Sequence, residues 1–434
     1  MDAVTVALIG LGTVGTAVAR ILTDQAERIA SRCGKRILWK WALVRDPAKP
    51  RDIRLDGVRL TSQPAQVIED PEVDVVIELM GGTDPALRLV LECLRAGKHV
   101  VTANKALLAE HGPQIFEQAR SADRAVAFEA SVGGGIPIIQ ALAVSLAANQ
   151  IQSVAAILNG TCNYILTKMT LEGLPYDRAL AEAQQLGYAE ADPRLDVDGT
   201  DTAHKLAILA QLGFRASVRT ADIVRTGIDR LQLADLRYAG ELGYVVKLLA
   251  LAKLSAAGLE LRVAPTLVKR GTPLAEVRGP YNAIRVVGDA VGDTLFYGRG
   301  AGAMPTASAV VGDLIDVIVG RAMLTARALR LWVEPVGGVA RTPSDQIRNR
   351  YYLRFTIADS PGVLAALARI LGARGISIAS VIQHDPGEDA TPESPVPLVL
   401  MTHLAVEADL RAAIEEIDRL DVVRAPTVCY GVEE

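Results

Sequence analysis

The stretch GYAEADPRLDVDGTDTAHKLAIL, residues 187–209, gathers Glu190, Asp192, Asp196, Asp198 and Asp201 just ahead of Lys205. Asp201 and Lys205 stand four residues apart, so a helix presents them on one face, and that stripe continues through the apolar Ile208 and Leu212. Leaving either charge buried alone costs several kcal/mol. The pair is therefore salt-bridged, hydrated in a cleft, or used. If used, it meets a ligand: the surrounding acids attract a substrate that carries an ammonium group. The segment lacks the D-x-D-x-D-G register and closing Glu of a calcium loop. Asp198 or Thr200 can cap the helix start.

Five other stretches could meet a ligand. GLGTVG places Gly10, Gly12 and Gly15 in a G-x-G-x-x-G arrangement between the strand-like VTVALI and a helical run. In that context the glycines allow a tight turn and close approach of a pyrophosphate, which then lies at the positive helix end formed by Thr13 and Val14. Past the second strand, ALVRDPAKPR offers Arg45, Lys49 and Arg51 against Asp46. Three basic groups suit the 2′-phosphate of NADP better than the ribose hydroxyl of NAD; the alternative is a solvated loop. TANKALL sets Lys105 at the carboxyl end of a strand, where open parallel sheets bind ligands, although an exposed helix-start lysine would read the same way. ELMGGTDP puts Gly81, Gly82 and Thr83 at another strand end. FEASVGGGIPII can aim successive backbone carbonyls at one point, as a hard cation such as sodium requires, or simply form a flexible turn.

These residues need elements to hold them. Strands at 4–9, 36–45, 73–80, 99–104 and 125–130 alternate with helices, including one run from 16 to 32, and imply a doubly wound parallel sheet over residues 1–130. From 131 to about 300 the texture becomes long Ala/Leu-rich helices with a few strands. A small-residue helix follows around 301–325, and residues 338–350 have the composition of a linker. Residues 351–434 read β, α, β, β, α, β, the order of a ferredoxin-like sandwich. Its acid- and Pro-rich segment at 385–397 reads as a mobile hairpin loop.

At 434 residues the chain has material for two to four domains. A formal net charge of −4 gives no general basic field for nucleic acid, and no stretch supplies the ~20 apolar residues of a membrane helix. The start MDAVTVALIGLGTVG has no basic region or cleavage site, which implies a cytoplasmic address. Cys33, Cys93, Cys162 and Cys429 are too scattered for a disulfide framework or a zinc site, so reduced thiols are expected.

Taken together, GLGTVG, TANKALL, FEASVGGGIPII, LNGTCNYIL, GYAEADPRLDVDGTDTAHKLAIL and FYGRGAGAMPTASAV resemble, in order, the motifs of the homoserine dehydrogenases. YYLRFTIADSPGVLAALARILGARGISIASVIQH resembles an ACT domain, a module that commonly senses amino acids. The resemblance implies reversible NAD(P)H-dependent reduction of L-aspartate 4-semialdehyde to L-homoserine, with NADP(H) favoured and NAD(H) possible. It implies Lys205 as acid/base, Lys105 as a second lysine near the nicotinamide, and Glu190, Asp196 and Asp201 as substrate residues. Gly302 would contact the cofactor, and the backbone carbonyls of Glu129, Val132, Gly134 and Ile136 would hold Na+ or another monovalent cation. Residues 131–300 become a substrate and dimerisation domain, the helix at 301–325 completes the nucleotide domain, and 351–434 become a regulatory domain for an amino acid such as L-threonine. A homodimer or homotetramer follows, and a chain cut before Tyr351 would keep activity and lose inhibition. The rival reading is a catalytically degenerate nucleotide-binding amino-acid sensor. The intact Lys105, Glu190, Asp201 and Lys205 speak against it.

Overall fold

Strands covered by helices on both faces bury nearly every side chain, and VVIE at Val75–Glu78 and HVVT at His99–Thr102 do so. They belong to a six-stranded parallel sheet whose order is Arg59–Thr61, Arg36–Leu43, Ala3–Ile9, Val75–Glu78, His99–Thr102, Val126–Ala127. The chain order reverses between Ala3–Ile9 and Val75–Glu78. That switch point opens a crevice at the carboxyl ends of the two strands, where Gly10 and Leu79 lie. The doubly wound expectation holds.

The computed structural model describes residues 2–329, 331–332, 339–385 and 395–434. They form two compact units: Met1–Gly160 with Asp201–Ile223 and Pro280–Val339, and Thr161–Thr200 with Val224–Gly279 and Ala340–Glu434. In the first unit the helix Ala303–Ile318 packs its Ala307, Val310 and Leu314 into the core formed by Val6, Leu8, Val18 and Ile77. A late segment of chain thereby completes the nucleotide sheet's cover. The same unit contains an antiparallel set in which Tyr281–Gly288 pairs with Ile151–Ile157 on one side and Gly292–Arg299 on the other.

In the second unit Tyr244–Ser255 and Gly258–Lys269 form a long hairpin. Gly258–Lys269 then pairs in parallel with Val423–Glu433, and the sheet continues through Arg348–Ala358, Pro395–Thr402 and Ile378–Gln383. With the helices Val363–Ala373 and Glu407–Ile417 this gives the expected β, α, β, β, α, β order, plus a short strand Ala405–Val406 paired with Arg348–Asn349.

Several elements differ from the sequence reading. The helical run from 16 to 32 breaks at Gln25 into Thr13–Asp24 and Ala26–Cys33. AVAFEA is strand only at Val126–Ala127 and then a 3₁₀ turn, Glu129–Ser131. YVVKLLALAKLS has helical composition but is a strand, because a run buried on both faces looks alike in either state. Of the loop at 385–397, residues 386–394 lie outside the described residues, and Pro395–Pro397 already belong to a strand.

The C-terminal module is also more firmly joined to its unit than a linker would imply. Asp235, fully buried on Leu233–Glu241, receives Arg354 Nε at 2.6 Å and the Tyr352 hydroxyl at 2.9 Å. Ala340 accepts from the Leu259 amide at 2.8 Å. Cutting before Tyr351 would remove both Asp235 partners and the strand Val423–Glu433 that pairs with Gly258–Lys269. Truncation is therefore a destabilising change rather than a clean removal of regulation.

The Gly-rich turn explains its own glycines. Gly10 has φ +98°, and a Cβ on Gly15 would lie 2.1 Å from the Gly10 carbonyl oxygen, whereas one on Gly12 would meet nothing within 4 Å. Gly15→Ala should lower the unfolding midpoint by about 5 °C or more through overpacking, while Gly12→Ala leaves it nearly unchanged. Equal midpoints in scanning fluorimetry would contradict this packing.

Candidate active site

Three stretches of the first unit converge on one carboxylate. The helix Thr200–Phe214 carries Asp201 and Lys205 one turn apart, and its first turn is fastened by Asp198, which accepts from the Thr200 amide at 2.7 Å and hydroxyl at 2.9 Å. Lys205 Nζ lies 2.6 Å from Asp201 Oδ2 and donates to the Leu158 carbonyl at 2.7 Å. Asn159 Nδ2 donates to the same Oδ2 at 2.9 Å. Lys105, the first residue of the helix Lys105–Ser121, places its Nζ 2.6 Å from Asp201 Oδ1. A cation at a helix N-terminus is disfavoured by the dipole. The Asp201 carboxylate offsets that.

Burial alone would raise the Asp201 carboxyl, but the ammonium groups of Lys205 and Lys105 outweigh it and hold the acid well below the usual carboxylate range. Asp201 is thus a permanent anion shared between two cations. Lys205 is buried beside it, while the Lys105 side chain is 41% exposed. One ammonium is fixed inside and the other is open to a ligand.

Lys105 is held in place by a residue that the sequence reading passed over. Glu78 is fully buried at the end of its strand, accepting from the Thr102 hydroxyl at 2.6 Å and the Met80 amide at 2.7 Å. Thr102 Oγ1 accepts from the Asn104 amide at 3.0 Å, Asn104 Oδ1 from the Leu107 amide at 3.1 Å, and Asn104 Nδ2 donates to the Gly82 carbonyl at 2.8 Å. The chain of bonds fixes the turn from which Lys105 projects. Burial pushes the Glu78 carboxyl up to about 7, against the hydrogen bonds from Thr102, Met80 and Asn104. An acid closing the apolar run VVIE was the available signal. Asn159, inside LNGTCNYIL, was likewise quoted without a role.

The Gly-rich turn lies at the start of the first helix. Gly12 precedes Thr13–Asp24 with open space around it, Thr13 is exposed and Val14 half-buried, and no acid occupies the first turn. In the loop after the second strand, Arg51 donates to the carbonyls of Asp46 and Lys49 at 2.7 and 2.6 Å, and Asp46 Oδ1 accepts from the Ala48 amide at 2.9 Å. Arg51 and Asp46 are thus engaged in bracing the loop. Arg45 is exposed.

Glu129, Val132, Gly134 and Ile136 are all buried in the Gly-rich segment. Gly133 and Gly134 have φ +73° and +52°, and a Cβ on Gly134 would lie 2.6 Å from the Gly300 carbonyl oxygen. The Glu129 and Ile136 carbonyls accept from the Val132 and Ile138 amides; those of Val132 and Gly134 accept no hydrogen bond from the described residues. The Glu129 side chain accepts from the Ile139 and Gln140 amides, and its own amide donates to Asp313 at 2.7 Å. Burial raises both carboxyls, Glu129 to about 7. Gly302, φ +120°, precedes Ala303–Ile318 two residues beyond Gly300. Glu190 and Asp196 lie in the second unit, Glu190 exposed after the helix Tyr176–Gln185, and Asp196 half-buried with its carbonyl accepting from the Cys162 thiol.

A phosphate-binding turn at the switch point of a parallel sheet, with a lysine pair locked on one anion in the same unit, defines a nucleotide-dependent oxidoreductase. The homoserine dehydrogenase NAD binding domain matches residues 10–129, the homoserine dehydrogenase domain 137–315, and the ACT domain 351–422. The homoserine dehydrogenase of Synechocystis sp. is 44% identical over 431 residues, covering 97% of each chain. The crystal structure of a homoserine dehydrogenase from Thiobacillus denitrificans superposes with a TM-score of 0.93 at 42% identity, covering 100% of this chain and 99% of that one. A hyperthermophilic archaeal homoserine dehydrogenase in complex with NADPH matches with a TM-score of 0.62 at 26% identity, over 73% of this chain and 97% of that one. The chain belongs to the homoserine dehydrogenase family and is an NAD(P)-dependent oxidoreductase that interconverts L-aspartate 4-semialdehyde and L-homoserine. The degenerate-sensor reading is not favoured. Among the described residues no helix is long and apolar enough to cross a membrane.

Because the folded-state Glu78 carboxyl is raised, its contribution to stability is full below pH ~4.5 and is lost as pH rises towards about 7. Glu78→Gln should flatten the fall in stability between pH 4.5 and 8 by on the order of 3 kcal/mol relative to wild type. Parallel stability curves for the two proteins in urea would refute that raised carboxyl.

Proposed function

We propose that Lys205 gives a proton to the aldehyde oxygen during reduction and recovers it during oxidation, with Glu190, Asp196 and Asp201 binding substrate and NADP(H) as the preferred cofactor. The observation that carries this reading is the Lys105–Asp201–Lys205 cluster. The nicotinamide, when bound, supplies or accepts the hydride. The chain's own part is to place a proton where alkoxide charge develops. Asp201 holds Lys205 against the Leu158 carbonyl, which fixes the ammonium's direction, and holds Lys105 on the exposed side. Glu190 takes the substrate's ammonium in this reading, and its exposure suits a group that must meet a ligand.

Arg45 supports the NADP preference, since it is exposed while Asp46, the acid that would favour NAD, is engaged in the loop. Gly302 completes the cofactor contacts. The Val132 and Gly134 carbonyls, with those of Glu129 and Ile136, suit a monovalent cation, because buried carbonyls seek a donor or an ion. The C-terminal module takes an amino-acid effector, L-threonine in the first instance. The edge strand Gly292–Arg299 exposes Leu295 and Tyr297 by 40% and 55%, and covering such an edge favours a homodimer or a homotetramer. Free cysteines accord with a cytoplasmic address.

Absorbance of the reduced nicotinamide after mixing L-homoserine with NADP or NAD tests the assignment. Lys205→Ala, verified as folded, should lower kcat by about 10²–10⁴-fold, and Arg45→Ala should raise KM for NADP about tenfold while leaving that for NAD nearly unchanged. Near-wild-type turnover by Lys205→Ala would exclude it as the proton donor.

A further inference from the structure

A buried lysine is ordinarily held by a carboxylate, because an uncompensated charge in a low dielectric is costly. Lys247, 4% exposed in the apolar run YVVKLLALA, is held instead by neutral groups: it donates to Asn163 Oδ1 at 3.0 Å and to the Val277 carbonyl. An ammonium has three N–H donors and a full charge. Two neutral acceptors leave one donor to use and the charge unmatched. Burial, and then the Arg278 guanidinium, push this ammonium down to about 8. None of the chemistry above uses it.

Lys247 lines a cavity of about 150 Å³ within the second unit. The start of the strand Tyr244–Ser255 forms one wall, the helix Gly160–Glu172 a second, and the chain at 270–278 a third. Two exposed guanidinium groups, Arg270 and Arg278, stand on that third wall, and Thr170 lines the cavity from the helix. Arg270 is directed by a bond from its Nε to the Tyr244 carbonyl at 3.4 Å. Arg278 is paired at 2.9 Å with Glu276, the acid of the lining, which also accepts from the Gly271 amide. Three cations against that one carboxylate leave an excess of two positive charges around the space. The volume is that of about five water molecules, well below what a nucleotide or a drug-sized ligand needs. A carboxylate ligand would match one charge of the excess. A tetrahedral dianion matches both, and it offers each planar guanidinium a pair of oxygens.

We propose that this pocket binds a small tetrahedral oxyanion, phosphate or a simple phosphate monoester, with its inner oxygens on Lys247 Nζ and its outer oxygens on Arg270 and Arg278. The bound dianion stands where a buried lysine would ordinarily have its carboxylate. Occupancy then stabilises the folded chain by mass action.

Titration calorimetry on the full chain with inorganic phosphate, methyl phosphate and acetate, at constant ionic strength, tests the site. NADP is kept saturating throughout, because the Gly-rich turn also suits a phosphate. Arg270→Ala changes an exposed side chain and should keep the unfolding midpoint, while Lys247→Gln keeps a donor for Asn163 and Val277 and removes the charge. The expected result is one phosphate bound per chain, acetate weaker by about tenfold or more, and a loss of about tenfold in phosphate affinity in each variant. Methyl phosphate distinguishes the source: binding as tight as phosphate supports a monoester, and exclusion supports the free ion. Undiminished phosphate binding by Arg270→Ala would overturn the location, whether or not Lys247→Gln folds. No phosphate binding to wild type would overturn the site, and acetate equal to phosphate would overturn the oxyanion.

Discussion

The carboxylate of Asp201 is the constraint around which the first unit is arranged. Burying a lone anion is unfavourable, and burying Lys205 beside it is favourable only when both are held at hydrogen-bond distance and otherwise satisfied. Leu158 and Asn159 supply those partners from the end of the strand Ile151–Ile157, and Lys105 arrives from the end of a different sheet. Moving any of the three segments would leave a charge in a low dielectric. The same requirement that makes the cluster costly makes it rigid, and under the proposed role of Lys205 a rigid proton donor needs no reorganisation when alkoxide charge develops.

Around that anion the protein uses backbone geometry where it needs space and buried acids where it needs fixed turns. Gly15 lets the first helix approach the Gly10 carbonyl, and Gly12 keeps the space above the turn open. Glu78 and the Thr102–Asn104 bonds hold the next strand end, so that the lysine projecting from it has one direction. Glu129 and Asp313 repeat the device on the other side, where raised carboxyls record how far burial works against ionisation. Stability near neutral pH is given up for position in each case.

Much of this was legible in the sequence, for physical reasons. The G-x-G-x-x-G between a strand and a helix, and the four-residue spacing of Asp201 and Lys205, are local patterns with few structural solutions. Lys105 was readable as a strand-end residue, but its contact with Asp201 joins segments nearly a hundred residues apart, and spacing carries no information about that. Glu78 was hidden because a single acid at the end of VVIE looks like the edge of a strand rather than part of its core. The strand Tyr244–Ser255 was obscured by its Ala/Leu content. The attachment of the C-terminal module through Asp235 and Arg354 could not be read at all, since the ion pair links positions whose types are ordinary on a surface.

The central claim is that Asp201 and Lys205 act as one unit. The direct measurement is a double-mutant cycle on kcat for homoserine oxidation with Asp201→Asn, Lys205→Ala and the combined variant, each confirmed as folded by circular dichroism. The account predicts that the combined loss is no greater than that of the worse single variant, because either change removes the same positioned proton carrier. Losses that multiply would show two independent contributions and contradict it.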